Sequence, residues 1–182
     1  MTARVFDHER VLRLRHGHLR RAAELLGDAA ERDHGPVDRV IAIANGGLIP
    51  AAAIAAHLGI PVRVVIARHN PTRAPHTQAT GQVAYSTIGV SAADLAGRIL
   101  LVDDIYGTGA TLTTVHSALA ALTPAPLQAV TATLCVNAGA ENLPDLWVWG
   151  GLRDWVHFFW EDPPDTSLAL QDLPAPEKAC TR

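Results

Sequence analysis

Cysteine, methionine and aromatic side chains are scarce in this chain of 182 residues, which has two cysteines, one methionine, four tryptophans, two tyrosines and three phenylalanines. Cys135 and Cys180 are too few for a disulfide framework and fit a reduced compartment. An excess of charge of one sign is lacking too. The formal net charge is −3 and the pI is near 6.3, so there is no global field to hold nucleic acid or an anionic membrane. Long hydrophobic runs are missing: the longest, Leu48 to Ile60, is broken by Pro50, His57 and Gly59 and falls short of the ~20 residues that a membrane span requires. The start Met1-Thr2-Ala3-Arg4 lacks the apolar core of a signal peptide. A cytoplasmic protein with no nucleic-acid or membrane partner is therefore expected, one domain long enough to bury a proper core.

What is present is concentrated between Arg98 and Leu112. Arg98-Ile99-Leu100-Leu101-Val102 reads as a strand buried on both faces of a parallel sheet. Asp103 and Asp104 follow, and then two glycines and two threonines within the five residues Gly107 to Thr111. That composition lets the backbone turn tightly and aim several N–H groups at one phosphate-sized spot. The apolar spacing of Leu112, Val115, Leu119 and Leu122 then predicts a helix over Thr111 to Leu122, whose N-terminus adds its dipole to the loop.

The same unit recurs upstream. Val40-Ile41-Ala42-Ile43-Ala44 is a strand, Asn45-Gly46-Gly47 a loop, and Leu48 to Leu58 an alanine-rich helix with Gly59 as its C-cap. Further strands are expected at Ile60 to Ala67 and Leu127 to Val136. Asp7 to Arg32 carries the pattern of one amphipathic surface helix. His8, His16, His18 and His34 lie on or near it, but i, i+2 positions on a helix face apart, so a solvated face is the better reading than a metal site. Arg68 to Gly89 has prolines and no periodicity, a loop of about 20 residues that suggests a lid. Trp147, Trp149, Trp155, Phe158, Phe159 and Trp160 crowd into fourteen residues, mostly as core, with one or two available to stack on a flat ligand. The tail from Pro163 reads as irregular, with one short turn at Ser167 to Leu170.

Strands alternating with helices give an α/β fold with a mainly parallel sheet flanked by helices, and ligands in such sheets sit beyond the carboxyl ends of the strands. Both glycine loops fall at that edge. A Walker loop would need a lysine before the threonine, and Gly107-Thr108-Gly109-Ala110-Thr111-Leu112 lacks the third glycine of the dinucleotide fingerprint. Adjacent acids beside an anion loop suit ribose hydroxyls or a phosphate-bound Mg²⁺.

Val102-Asp103-Asp104-Ile105-Tyr106-Gly107-Thr108-Gly109-Ala110-Thr111 resembles the phosphoribosyl-pyrophosphate (PRPP) signature of type I phosphoribosyltransferases. Ile41-Ala42-Ile43-Ala44-Asn45-Gly46-Gly47-Leu48-Ile49-Pro50-Ala51 is similar to the pyrophosphate loop of that family, and Trp155-Val156-His157-Phe158-Phe159-Trp160-Glu161 to the base-binding hood of its xanthine-guanine and hypoxanthine branch. Three motifs in the right order span about residues 5 to 162. The division this implies is a core over 1–136 containing the lid loop 68–89, a small C-terminal hood over 137–162, and the irregular tail 163–182.

The resemblance implies that Asp103 and Asp104 hold the ribose hydroxyls while Gly107, Thr108, Gly109, Ala110 and Thr111 cradle the 5'-phosphate. Asn45, Gly46 and Gly47 would receive the pyrophosphate, with a cis non-proline peptide between Ala44 and Asn45. Arg68, Arg73, His76, Tyr85 and Ser86 are lid residues that would close on PRPP, Arg68 and Tyr85 joining Asp103 and Asp104 in the catalytic set. Trp155 would stack on the base and the Val156 backbone would read its edge, with Ile105 and Asn137 completing the base pocket. Asp103, Asp104 and Glu161 would lie near Mg²⁺. The implied reaction displaces pyrophosphate from the ribose anomeric carbon by a base nitrogen, and family habit implies a homodimer.

Two positions depart from the branch. Its enzymes carry, at the Gly107 position, an aspartate that handles the proton on purine N7, and they read the 6-oxo group with a lysine near the place of Asn137. Both departures point to an acceptor other than guanine, xanthine or hypoxanthine: an adenine-like base, a 7-deazapurine or an unusual heterocycle. The alternatives are a non-catalytic PRPP-binding regulator and a metal-dependent hydrolase using Asp103, Asp104 and histidines.

Overall fold

The computed structural model describes residues 4–7, 9–68, 84–86, 89–164 and 167–182. In chain order the elements are β1 (Arg10–Arg13), α1 (His16–His34), β2 (Arg39–Ala44), α2 (Leu48–Leu58), β3 (Val62–Arg68), β4 (Ala84–Ser86), a 3-10 turn (Ala92–Leu95), β5 (Arg98–Tyr106), α3 (Ala110–Ala120), β6 (Gln128–Asn137), β7 (Leu146–Leu152), β8 (Trp155–His157), β9 (Ala169–Asp172) and β10 (Cys180–Thr181). Seven strands form one sheet in the order β10-β7-β6-β5-β2-β3-β4. The five inner strands run parallel, and the two edges, β4 and β10, pair antiparallel. The mainly parallel α/β fold expected from the alternation of strand and helix patterns is thus the observed one.

Alternation along the central strands decides which helix covers which face. Val40, Ala42, Leu100 and Val102 pack into a core with Leu19, Ala22 and Leu26 of α1 and Ala51 and Ile54 of α2. Their neighbours Ile41, Ile43, Ile99 and Leu101 turn the other way, against Leu112, Val115 and Leu119 of α3. Each fully buried aliphatic side chain contributes about 1.5–3 kcal/mol, so a strand buried on both faces anchors the two layers at once. Helix α2 ends where the sequence placed its stop, at Gly59, with φ +69° and its N–H bonded to Ala55 O. Helices α1 and α2 approach closely at Gly27, where an added Cβ would lie 3.0 Å from His57 Cδ2.

A second, three-stranded sheet has the order β8-β1-β9, all parallel. It corrects two expectations. The stretch from Asp7 to Arg32 is not one helix: Arg10–Arg13 is a strand and α1 begins at His16. The tail is not irregular either, since β9 joins this sheet and β10 extends the large one. Leu173 is buried, and Trp149 Nε1 donates to Pro174 O at 3.0 Å. In both cases the partner lies far away in the chain, as the ion pairs Arg10–Asp154 and Arg13–Asp172, each 2.8 Å, make plain. The hood is therefore built from both ends of the chain around β8, and not from residues 137–162 alone.

Candidate active site

The two glycine loops lie side by side because β2 and β5 are neighbours, with Ala42 opposite Val102. Strand β5 runs two residues beyond the acidic pair, its Ile105 and Tyr106 opposite Cys135 and Val136. Asp103 and Asp104 therefore sit on a rigid strand rather than beyond its end. The peptide between Ala44 and Asn45 is cis, as the motif implies. Gly47 has no room for a side chain: an added Cβ would collide with Val102 O and would lie 2.8 Å from Ile43 O and 3.0 Å from Asp103 Cα. Gly46 is likewise pressed against the Asp104 carboxylate.

The second loop turns through Gly109, whose φ of +82° a side chain would resist and whose Cβ would strike the Tyr106 hydroxyl. That hydroxyl donates to Asn142 O at 2.6 Å and so fixes the loop from below. Helix α3 starts at Ala110 with no acid in its first turn, which leaves its N–H groups and dipole unopposed there. The hollow in front of it is lined by Asp103, Ile105, Tyr106, residues 107–112 and Arg4. Anion binding is the chemistry this hollow offers.

Electrostatics distinguish the two acids from surface carboxylates. Burial, followed by the charge of Glu161, pushes the Asp104 carboxyl up to about 7, and burial together with Asp104 holds Asp103 well above the usual range. The Asp103 carboxylate accepts the Asp104 N–H at 3.0 Å. The charge of Arg4 reaches both acids and opposes these shifts. Glu161 reaches this field from the hood, where its Oε2 accepts the Phe158 N–H at 3.2 Å.

Trp155 stands half-buried on β8 with its ring 5.7 Å from Phe6, and Val156 is buried opposite Leu12. Asn137 is used differently from the expectation of a base contact. Its Oδ1 accepts the N–H groups of Val5 (2.9 Å) and Gly139 (3.0 Å), and its Nδ2 donates to the carbonyls of Val5 (2.9 Å) and Leu152 (3.1 Å). Every polar atom of that amide is engaged by the chain itself, so Asn137 clamps the N-terminal segment. Ala84 to Ser86 pair antiparallel with Ile66 to Arg68, which brings the backbones of Arg68, Tyr85 and Ser86 into one hairpin. Arg73 and His76 lie outside the described residues.

One residue of the hollow escaped sequence reasoning. Arg4 lies about a hundred positions from the loop it lines, and neither periodicity nor spacing signals an N-terminal arginine.

The family model described as "Phosphoribosyl transferase domain" matches residues 14–166. The chain belongs to the phosphoribosyltransferases. A xanthine-guanine phosphoribosyltransferase of Gluconobacter oxydans is 31% identical over 147 residues, 80% of this chain and 82% of that one. Among solved structures, a purine phosphoribosyltransferase from Pyrococcus horikoshii superposes with a TM-score of 0.70 at 25% identity, covering 86% of this chain and 98% of that one. A Helicobacter pylori xanthine-guanine-hypoxanthine phosphoribosyltransferase gives a TM-score of 0.67 at 19% identity, covering 83% and 93%. This phosphoribosyltransferase is thus a type I enzyme of the xanthine-guanine/hypoxanthine-like branch, and it moves the phosphoribosyl group of PRPP to a base.

Proposed function

We propose that the enzyme works in purine salvage and that its acceptor is a heterocycle other than a standard 6-oxopurine. The observation that carries this reading is the state of position 107. Gly107 is buried, and an added Cβ would lie 2.8 Å from both Cζ and Nη2 of Arg4. No carboxylate stands at this position to take the proton of a purine N7, and the space one would need holds a guanidinium. An adenine-like base, a 7-deazapurine or another unusual heterocycle would be compatible with this position.

In the reaction the C1'–O bond to pyrophosphate breaks, the N–C1' bond forms, and the proton of the base's ring nitrogen passes to the departing pyrophosphate. Positive charge builds on the sugar as negative charge leaves with pyrophosphate. Asp103 and Asp104 would hold the ribose hydroxyls, residues 107–111 the 5'-phosphate and residues 45–47 the pyrophosphate, so that catalysis is mainly positioning and electrostatic stabilisation. Among the described residues no three metal-ligating side chains converge. The donor set fits Mg²⁺ all the same, because this hard cation takes one or two carboxylates together with substrate phosphates. One or two of the carboxylates of Asp103, Asp104 and the nearby Glu161 would hold it together with substrate phosphates, and it would supply charge neutralisation of the leaving group. Exposed Ile49, Val64 and Ile66 on neighbouring elements support a homodimer.

Pyrophosphate release measured across guanine, xanthine, hypoxanthine, adenine and 7-deazapurines tests the reading. The fastest turnover is expected outside the first three. Rapid turnover with guanine alone would sink it, and tight PRPP binding without turnover for any base would favour a regulator.

A further inference from the structure

The N-terminal segment is fastened to the hood at three successive residues. Val5 exchanges two hydrogen bonds of 2.9 Å with the Asn137 amide. Phe6 lies against Trp155. Asp7 donates its N–H to Arg153 O at 2.8 Å and pairs through its carboxylate with Arg153 Nε at 2.9 Å. These contacts deliver Arg4 to the glycine loop, where its guanidinium fills the space above Gly107.

Charge in that hollow is unbalanced. The stretch Gly107 to Thr111 has no basic side chain; its amides offer dipoles only, and Asp103 and Asp104 add negative potential beside it. A phosphate monoester, carrying about −1.5 to −2 charge, would meet the acids without a compensating cation of the loop's own. The hollow is lined by Arg4 together with Asp103, the loop and the first turn of α3, so the guanidinium shares one small hollow with the loop amides. Burial pulls the Arg4 guanidinium below its ordinary value while Asp104 and Asp103 oppose that pull, and an arginine stays charged through such a shift. Its five N–H donors, fixed in a fork, are enough to answer the acidic pair and a phosphate oxygen together.

We propose that Arg4 is a binding residue for the 5'-phosphate of PRPP, brought into the site by the Asn137 clamp and admitted by the absence of a side chain at Gly107. Glycine at 107 and arginine at 4 are then one adaptation: any Cβ at 107 would displace the guanidinium, and the guanidinium supplies the charge that the loop lacks. The proposal rests on the reading of residues 103–111 as the PRPP site.

The test is calorimetric titration of the full chain with PRPP, ribose 5-phosphate and pyrophosphate, each with Mg²⁺, for the wild type, Arg4→Ala and Arg4→Lys. Loss of one charge-assisted contact predicts a roughly 10- to 100-fold weaker affinity of R4A for ribose 5-phosphate and PRPP. Affinity for pyrophosphate should be unchanged and R4K should recover part of the loss. Equal melting temperatures for the three proteins exclude a folding defect. Ribose 5-phosphate affinity untouched in R4A overturns the proposal, as does an equal loss for pyrophosphate. Tighter PRPP binding by R4A overturns it too, because Arg4 would then be a plug over the acids. Wild-type protein that binds neither PRPP nor ribose 5-phosphate would overturn the donor-site reading itself, a result distinct from wild-type binding that survives in R4A.

Discussion

Single residues in this site are constrained by what touches them. Gly47 meets two carbonyl oxygens and the Cα of Asp103, all backbone and none able to swing aside. Gly47→Ala should cost about 1–3 kcal/mol of stability through overpacking, read by denaturant melts, and should lower kcat/KM for PRPP as the two loops separate. Gly107→Ala faces a side chain instead, so the fold should survive while PRPP affinity falls as in R4A. The double variant should be little worse than either single one, the non-additivity expected of residues in contact. Asp104 illustrates the conflict between stability and function. A buried carboxylate beside a second acid and near Glu161 burdens the ligand-free protein. Asp104→Asn should raise its melting temperature by a few degrees while abolishing detectable transfer.

Elements fix these residues through contacts that can be addressed separately. The 3-10 turn Ala92–Leu95 is tied to β3 and β2 by Asp94, whose carboxylate accepts from Ser91 N at 3.0 Å, Ser91 Oγ at 2.7 Å and Arg63 Nε at 2.9 Å. The Asp94 backbone carbonyl also accepts from Arg39 Nε, at 3.0 Å. The Ser91 bonds, then Arg63, lower the Asp94 pKa to about 2. A group whose pKa is depressed by folding stabilises the fold above its unfolded value and loses that contribution as pH falls toward the folded one. Stability should therefore decline between about pH 4 and pH 2 on this account. Asp94→Asn should be less stable at pH 7 and should show a shallower acid limb in melts across that range. The clamp at Asn137 is the corresponding device at the hood. Asn137→Ala removes both bonds to Val5 and should loosen residues 4–7, read as faster amide exchange there and as weakened PRPP affinity.

At the scale of the whole molecule, ligand binding is the simplest readout of the site. Saturating PRPP with Mg²⁺, at about 100 times its Kd, should stabilise the native state by about 2.7 kcal/mol. R4A should show a reduced gain at equal ligand concentration.

The sequence by itself determined the parallel core, both glycine loops, helix α2 to its last residue and the position of the acidic pair. Each of these is signalled by contacts within a few residues, through strand alternation, glycine punctuation and a left-handed cap. It also carried the family motifs, because a tight glycine loop is a property of consecutive residues. Only the tertiary structure decided the hood. Strand β1 looks helical until β8 and β9 supply its partners, and the tail looks irregular until β1 and β7 supply theirs, about 30 to 160 residues away. The same holds for Arg4, whose guanidinium acquires meaning only where the fold brings the chain's start to Gly107. A pattern of neighbours reports local geometry, whereas charge and space at the site are set by residues the chain does not place together.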